Sequence, residues 1–357
     1  MSIVPKLKPL EKNDYPGLNI LFKKAFGTNR KLETWAWKFE TNPHGSAVAT
    51  VATVPLSDVS DTTDVRIVGF YGLVPRKVTY MGQAMTGWQE VDLMVDSEFA
   101  AGGLFKRLGR ETYARLCDNG QPFTFGFPNQ TSLPVGKRIL GWKAIEKIPL
   151  WTMILNPADA LSEKLPAFPG LKSVASAAIR LHNLFKLRSK WHGHIRDDVC
   201  VTDRLAEFLA LPSDDADIEF VRGTEYLSWR YDSMPEQQYR VFAAESAGGD
   251  IQAVAVIGIA DSERANIAEF RVGKNCEDAG RELLRCIADY CCQNDIATIR
   301  AWALNSSPEA NFYKSCGFFD RDALRYHVIR SFQPPEFNRY LWDARRWRLS
   351  SGDSDCV

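Results

Sequence analysis

The residues that point most directly to chemistry are Gly102 and Gly103, adjacent glycines between the apolar run V-D-L-M-V (91–95) and the helix-forming K-R-L-G-R-E-T-Y-A-R (106–115). A helix start leaves its first backbone N–H groups unpaired and carries the positive end of the peptide dipoles. Phosphate oxygens settle against such donors when no Cβ blocks their approach. The chemistry implied is binding of a phosphorylated ligand by the main chain. A plain strand-loop-helix connection has the same pattern, so a second stretch must support the reading.

That stretch is F-T-F-G-F-P-N-Q-T-S-L-P-V-G-K-R-I-L-G-W, residues 123–142. It reads as a strand, an Asn at the strand exit, a helix and a Gly-aromatic turn. Upstream, a helix is expected from Tyr15, with Leu18, Leu21, Phe22 and Ala25 on one face. Period-two strands follow over 47–54 and 66–80, separated by the turn-rich S-D-V-S-D-T-T-D (57–64). Leu104, Leu108 and Leu116 give the helix after the glycines its buried face. The first half ends near Trp151.

The chain of 357 residues is long enough for two domains, and its 45% hydrophobic and 25% charged composition is globular. Forty-four basic residues balance 44 acidic ones, so no overall field draws nucleic acid or an anionic membrane. No secretory signal or bilayer-length apolar run is present, and a cytoplasmic location is expected. The eight cysteines lack C-x-x-C spacing; reduced and mostly buried thiols are expected, with no metal. His192 and His194, without a nearby Cys or carboxylate, read as a solvated pair.

Internal repetition is the strongest organising signal. E-T-W-A-W-K-F-E-T-N-P (33–43) matches E-Y-L-S-W-R-Y-D-S-M-P (225–235), pairing Trp37, Lys38, Phe39 and Pro43 with Trp229, Arg230, Tyr231 and Pro235. Asn129 precedes Gly141 and Trp142 as Asn305 precedes Gly317 and Phe318. A-E-F-R-V (268–272) stands where V-D-L-M-V stands in the first copy, aligning Glu269 with Asp92. The expected division is 1–155, a connector over 156–200, and 201–357. Residues 164–196 of that connector carry seven Lys or Arg and no acidic residue. Leu171, Val174, Ala178, Leu181 and Phe185 lie at helical spacing there. This basic amphipathic helix reads either as docked on a domain, the preferred expectation, or as lying on a membrane surface.

Both halves resemble the acyl-CoA-binding part of GNAT-superfamily N-acyltransferases, and the chain is similar to tandem GNAT proteins. The resemblance implies an α/β (α+β) chain of two tandem GNAT-like mixed sheets with flanking helices. Of the family's loop pattern, Arg or Gln, two variable residues, Gly, one variable, then Gly or Ala, only Gly103 is kept. The resemblance implies acetyl-CoA, or another acyl-CoA, as co-substrate, no metal, and a small-molecule or sugar amine as acceptor. Leu93, Met94 and Val95 would face the donor with their backbone, Ala101, Gly102, Gly103 and Leu104 its pyrophosphate, and Asn129 and Ser132 its pantetheine or ribose side. Ser132 and Thr131 serve equally as helix caps.

Transfer to an amine needs a proton acceptor and a donor for the departing thiolate. Glu90 and Asp92, two residues apart on one strand and therefore on one face, are the base candidates, or else partners of Arg76 or Lys77. In the second copy, Glu269 takes the base position and Tyr313, in N-S-S-P-E-A-N-F-Y-K-S-C-G-F (305–318), the place of the general acid, or packs in the core; Lys137 holds that place in the first copy. The link G-K-N-C (273–276) leaves little room for a phosphate turn, so the donor is expected in the first copy. Asp353 and Asp355 near the C-terminus are further candidates to face the amine, in a tail expected to be disordered. The rivals are a CoA-binding sensor or scaffold without turnover, and a peptidyl transferase that takes its aminoacyl group from tRNA, against which neutral charge and the lack of a basic-aromatic groove argue.

Overall fold

Hydrophobic periodicity and turn chemistry set the elements of the computed structural model, which describes residues 3–56, 65–117, 122–156, 169–197, 200–212, 216–261, 263–321 and 325–355. The turn 57–64, Lys164 and Cys356, and the side chains of Leu171 and Lys172, lie outside what is described. The chain divides into two compact units: one of residues 1–146, 234–236 and 325–343, the other of 147–233, 237–324 and 344–357.

The first unit runs β1 Lys6–Pro9, α1 Tyr15–Phe26, α2 Leu32–Phe39, β2 Val48–Pro55, β3 Val65–Tyr80, β4 Gln83–Val95, α3 Leu104–Cys117, β5 Phe123–Gly126, α4 Ser132–Ile139 and β6 Lys143–Lys147. Helix α1 carries Pro16 in its first turn and ends on Gly27 at φ 78°, whose N–H returns to Lys23 O, the usual start and stop signals. Its buried face is Tyr15, Leu18, Leu21 and Phe22, packed with Trp35, Phe39 and Phe70 on one side of the sheet. Leu104, Leu108 and Leu116 of α3 pack with Tyr71, Tyr113 and Trp142 on the other.

The second unit contains β7 Leu150–Ile154, α5 Pro169–Lys186, β8 Gly193–Asp197, α6 Asp203–Leu209, β9 Ile218–Phe220, α7 Thr224–Leu227, β10 Tyr239–Ser246, β11 Ile251–Asp261, β12 Arg264–Val272, α8 Glu277–Gln293, β13 Thr298–Trp302, α9 Pro308–Ser315 and β14 Phe319–Arg321. The chain then gives β15 Tyr326–Ser331 and α10 Pro335–Leu341 to the first unit, and β16 Trp347–Arg348 to the second.

The sheets have matching orders, β1-β2-β3-β4-β5-β15-β6 and β8-β10-β11-β12-β13-β7-β14. In each, a long antiparallel meander meets a parallel pair, β4 with β5 and β12 with β13. Two tandem GNAT-like mixed sheets are thus present. The boundaries are not sequential, however. Strand β15, far downstream, pairs antiparallel with β5, and β7 pairs with β13. Strand β8, from the expected connector, pairs with β10. Edge strands recruit whichever segment satisfies their open N–H and C=O groups, which a contiguous division cannot show.

The cysteine expectation is corrected as well. Of the seven described cysteines, all free, only Cys291 and Cys316 are buried, while Cys117, Cys200 and Cys292 are exposed. Consecutive residues of a helix differ by about 100°, so Cys291 and Cys292 of α8 cannot both face the core.

Candidate functional site

Each unit has a wedge where its parallel strands part. In the first unit β4 and β5 pair only from Gly87↔Phe123 to Gln89↔Phe125; β4 runs on to Val95. Just beyond the parting, the ladder between β3 and β4 slips: Phe70 faces Met94 but Gly72 faces Val91, so Asp92 and Leu93 share one partner, Tyr71. Asp92 takes φ 53° in this bulge, a left-handed conformation that Asp tolerates better than most residues.

The bulge breaks period two, and with it the expectation that Glu90 and Asp92 share a face. Asp92 accepts from Arg30 Nη1 at 2.8 Å and Lys38 Nζ at 2.9 Å. Burial pushes its carboxyl up, but the two cations outweigh this and hold it well below the ordinary range. Glu90 turns the other way, into the core beside α3. It accepts from Tyr71 OH at 2.6 Å, Tyr113 OH at 2.7 Å, Thr124 Oγ1 at 2.6 Å and Trp142 Nε1 at 3.0 Å. Trp142 reaches it over Gly136, where a Cβ would lie 1.9 Å from the indole. Burial raises the Glu90 carboxyl above its usual value, against the pull of those donors. Its partners are these four groups, not Arg76 or Lys77.

After β4, a short 3-10 turn, Ser97–Gly102, precedes α3, with Gly103 at φ 69°. Ala101, Gly102 and Gly103 are exposed, and a Cβ on either glycine would meet nothing. Leu93 and Val95 pack half-buried on the α3 side, Met94 is buried on the other, and the Leu104 side chain is core. Asn129, not Ser132 or Thr131, caps α4: its Oδ1 accepts from Thr131 N at 3.0 Å and Ser132 N at 2.9 Å.

In the second unit β12 and β13 pair from Arg264↔Thr298 to Ile267↔Ala301 and then part. A bulge again lies at the parting, since Val256 faces Glu269 and Ile257 faces Ile267. Glu269 is buried and accepts from Arg222 Nε at 2.7 Å, Tyr231 OH at 2.8 Å and Ser350 Oγ at 3.1 Å. Arg222 also binds Asp353 at 3.0 Å. Asp353 is fully buried, so its expected place before a substrate amine is overturned; with Trp347, Leu349 and Ser351 buried around it, the C-terminal stretch is core. Sequence reasoning missed Arg30 and Arg222, although they stand 192 residues apart, the offset of the W-K/R repeat.

Where the sequence left little room, the second unit has a cavity of about 550 Å³. It is bounded by the end of β12 and the turn Val272–Asn275, by Glu277 and Arg281 of α8, and by Pro308, Glu309, Phe312 and Ser315 of α9. No side chain caps the N-terminus of α8, and Arg271, Lys274 and Arg281 bring positive charge. The Arg271 guanidinium, pushed down to about 10 by burial and then by Arg348, remains protonated at neutral pH. Of the two carboxylates present, Glu309 is held by Arg348 Nε at 2.7 Å.

Phe270 and Glu309 also border a narrow inner gap lined by Tyr313, Trp302, Arg348, Arg222 and Ser350. Tyr313 is 2% exposed, touching Phe270 and Phe318, and its hydroxyl has no hydrogen-bond partner among the described residues. Burial first, then the nearby Glu309 charge, drives its ionisation well above the usual range, so the hydroxyl keeps its proton. Glu269 and Tyr313 are thus brought to one gap, Glu269 through its partners Arg222 and Ser350.

Residues 6–145 match the sequence profile of the acetyltransferase (GNAT) domain. Solved structures share the fold across both units. A probable N-acyltransferase of Enterococcus faecalis is 13% identical, with a TM-score of 0.63 over 92% of this chain and 72% of its own. A GCN5-related N-acetyltransferase of Anabaena variabilis is 10% identical, with a TM-score of 0.61 over 91% and 72%. N-myristoyltransferase of Saccharomyces cerevisiae, solved with myristoyl-CoA, is 10% identical, with a TM-score of 0.62 over 94% and 81%. No curated protein matches the sequence significantly.

Proposed function

We propose, from the match of residues 6–145 to the acetyltransferase (GNAT) domain family, that the protein is an N-acyltransferase that moves an acetyl, or longer acyl, group from acyl-CoA to a primary amine of a small molecule or sugar. The observation that carries this reading is the cavity at the end of β12, whose wall residues Phe270 and Glu309 also border the inner gap lined by Tyr313. Uncapped helix N–H groups with Lys274 and Arg281 suit a pyrophosphate, and the strand edge beyond Ile267 suits an extended amide-bearing arm. Such a ligand is what the yeast relative holds as myristoyl-CoA.

In the reaction a neutral amine nitrogen attacks the thioester carbonyl carbon, the C–N bond forms and the C–S bond breaks. The ammonium proton passes to water, and Tyr313 protonates the thiolate. Burial and the Glu309 charge keep the proton on that hydroxyl, as the role requires. Asp92 and Glu269, held by arginines, serve the architecture of the bulges.

A second reading, CoA binding without turnover, is favoured by that same locking of both carboxylates. Titration of acetyl-CoA, CoA and a long-chain acyl-CoA into the wild type, Lys274→Glu and Gly103→Glu, followed by a thiol-release screen over amines, separates the possibilities. Lys274→Glu is expected to weaken binding about tenfold and Gly103→Glu to leave it unchanged. The reverse pattern moves the donor to the first unit, and loss in neither variant ends the acyl-CoA assignment. Binding without thiol release from any amine selects the second reading.

A further inference from the structure

The helix α5, Pro169–Lys186, does not bury the apolar stripe that its spacing suggests. Val174 and Leu181 are each 67% exposed, Phe185 is 64% and Leu184 is 46%. At about 100° per residue, Val174, Leu181 and Phe185 lie within about 20° of one line along the helix. The docked face is the opposite one: Leu187, just past the helix, is buried in the second unit's core, and Asn183 Nδ2 donates to Ile154 O at 2.7 Å. The helix is thus docked on this unit, but through the face opposite its apolar stripe. The helix is anchored by a narrow seam and turns its broad apolar side outward.

Along that side the exposed charges of the segment itself are of one sign, while α8 beside it carries the exposed Asp278 and Asp289. Arg180, Arg188 and Lys190 are exposed, as are His192 and His194, and residues 164–196 contain no Asp or Glu. Arg196, at the far end, is matched by Glu245. An exposed apolar stripe flanked by basic residues of its own segment, on a helix that is not apolar enough to cross a bilayer, has the chemistry of a surface that lies in an anionic lipid interface. The side chains enter the acyl boundary, and the basic margin meets the headgroups.

We propose that α5 docks the second unit onto anionic membrane through Val174, Leu181, Leu184 and Phe185, with Arg180, Arg188 and Lys190 against the headgroups. The test is co-sedimentation of the full-length chain with vesicles of phosphatidylcholine alone or mixed with phosphatidylserine, at low and high salt, with size-exclusion in parallel. Wild type is expected to bind the mixed vesicles, to bind neutral ones at least about tenfold more weakly, and to be released by salt. Leu181→Asp with Phe185→Asp should lower binding to mixed vesicles at least about tenfold, and Arg180→Glu with Arg188→Glu by a similar factor, with thermal melts unchanged because the substituted side chains are exposed. Absence of binding by wild type, equal binding of neutral and anionic vesicles, or unaltered binding by both variants overturns the proposal. So does a wild-type dimer that Leu181→Asp with Phe185→Asp turns to monomer without any vesicle effect, which would assign the stripe to a second copy.

Discussion

The wedges of the two units start from one plan and end in different states. In the first, Glu90 sits at the parting of β4 and β5 and gathers four donors from β3, α3, β5 and the turn at Trp142. In the second, aromatic rings surround the parting, and Tyr313 has no hydrogen-bond partner among the described residues beside a cavity of about 550 Å³. Buried polar groups that satisfy one another favour a fixed core. The first wedge thus holds a hydrogen-bonded polar cluster, and the second unit has its cavity at the end of β12.

The bulges differ in the same sense. Asp92 is held by Arg30 and Lys38. In the second unit Glu269 takes Arg222 and Tyr231, and Arg222 goes on to Asp353. Arg230, at the place of Lys38, instead donates to Tyr239 OH at 2.9 Å and Ser354 O at 3.1 Å. One ion triad has thus become a network that ties in the C-terminal turn.

The largest effect is expected from Arg222→Met, which strands Glu269 and Asp353 as buried carboxylates and should cost about 3–5 kcal/mol in urea unfolding of the second unit. A loss below about 1 kcal/mol would show that the network is dispensable. Gly352→Val comes next, at about 2–4 kcal/mol, because a Cβ there would lie 2.1 Å from Tyr231 OH and 2.8 Å from Ala268 O; thermal melts measure it.

Smaller effects separate the two carboxylates of the first unit by pH. The Asp92 carboxyl is depressed in the fold, so its contribution is complete above the ordinary carboxylate range and disappears as pH falls through the lowered value; Asp92→Asn should flatten that acid limb. Glu90 is raised, so its contribution is complete below the ordinary range and disappears as pH rises through the raised value. Glu90→Gln should remove this opposite slope, leaving the unfolding free energy near neutral pH within about 1 kcal/mol of wild type. Identical slopes in wild type and both variants would break the comparison. The smallest change in stability belongs to Tyr313→Phe, about 0.5 kcal/mol or less because no hydrogen bond is lost, yet thiol release should slow by about 10²-fold or more if the hydroxyl is the acid. Unaltered turnover in this variant would return Tyr313 to the core.

Much of this plan was legible in the residues themselves. The periodicity around Leu18, Leu21 and Phe22, the strands flanking 57–64, the Gly141 turn and the W-K/R repeat determined two copies of one mixed α/β unit, because those signals act over neighbouring residues. The same-face placement of Glu90 and Asp92 failed because a one-residue bulge inverts strand facing beyond it, and its left-handed Asp is fixed by cations more than fifty residues away. Which side of α5 would dock was not legible, because periodicity tells which residues share a face, not whether anything covers it. Only tertiary structure decided that β15 joins the first sheet and β7 the second, that Asp353 is buried, and that the cavity lies beside Lys274 and Phe312. Each depends on pairing and burial between distant segments, where the gain from satisfying open strand edges and removing apolar surface from water is a property of the assembled fold.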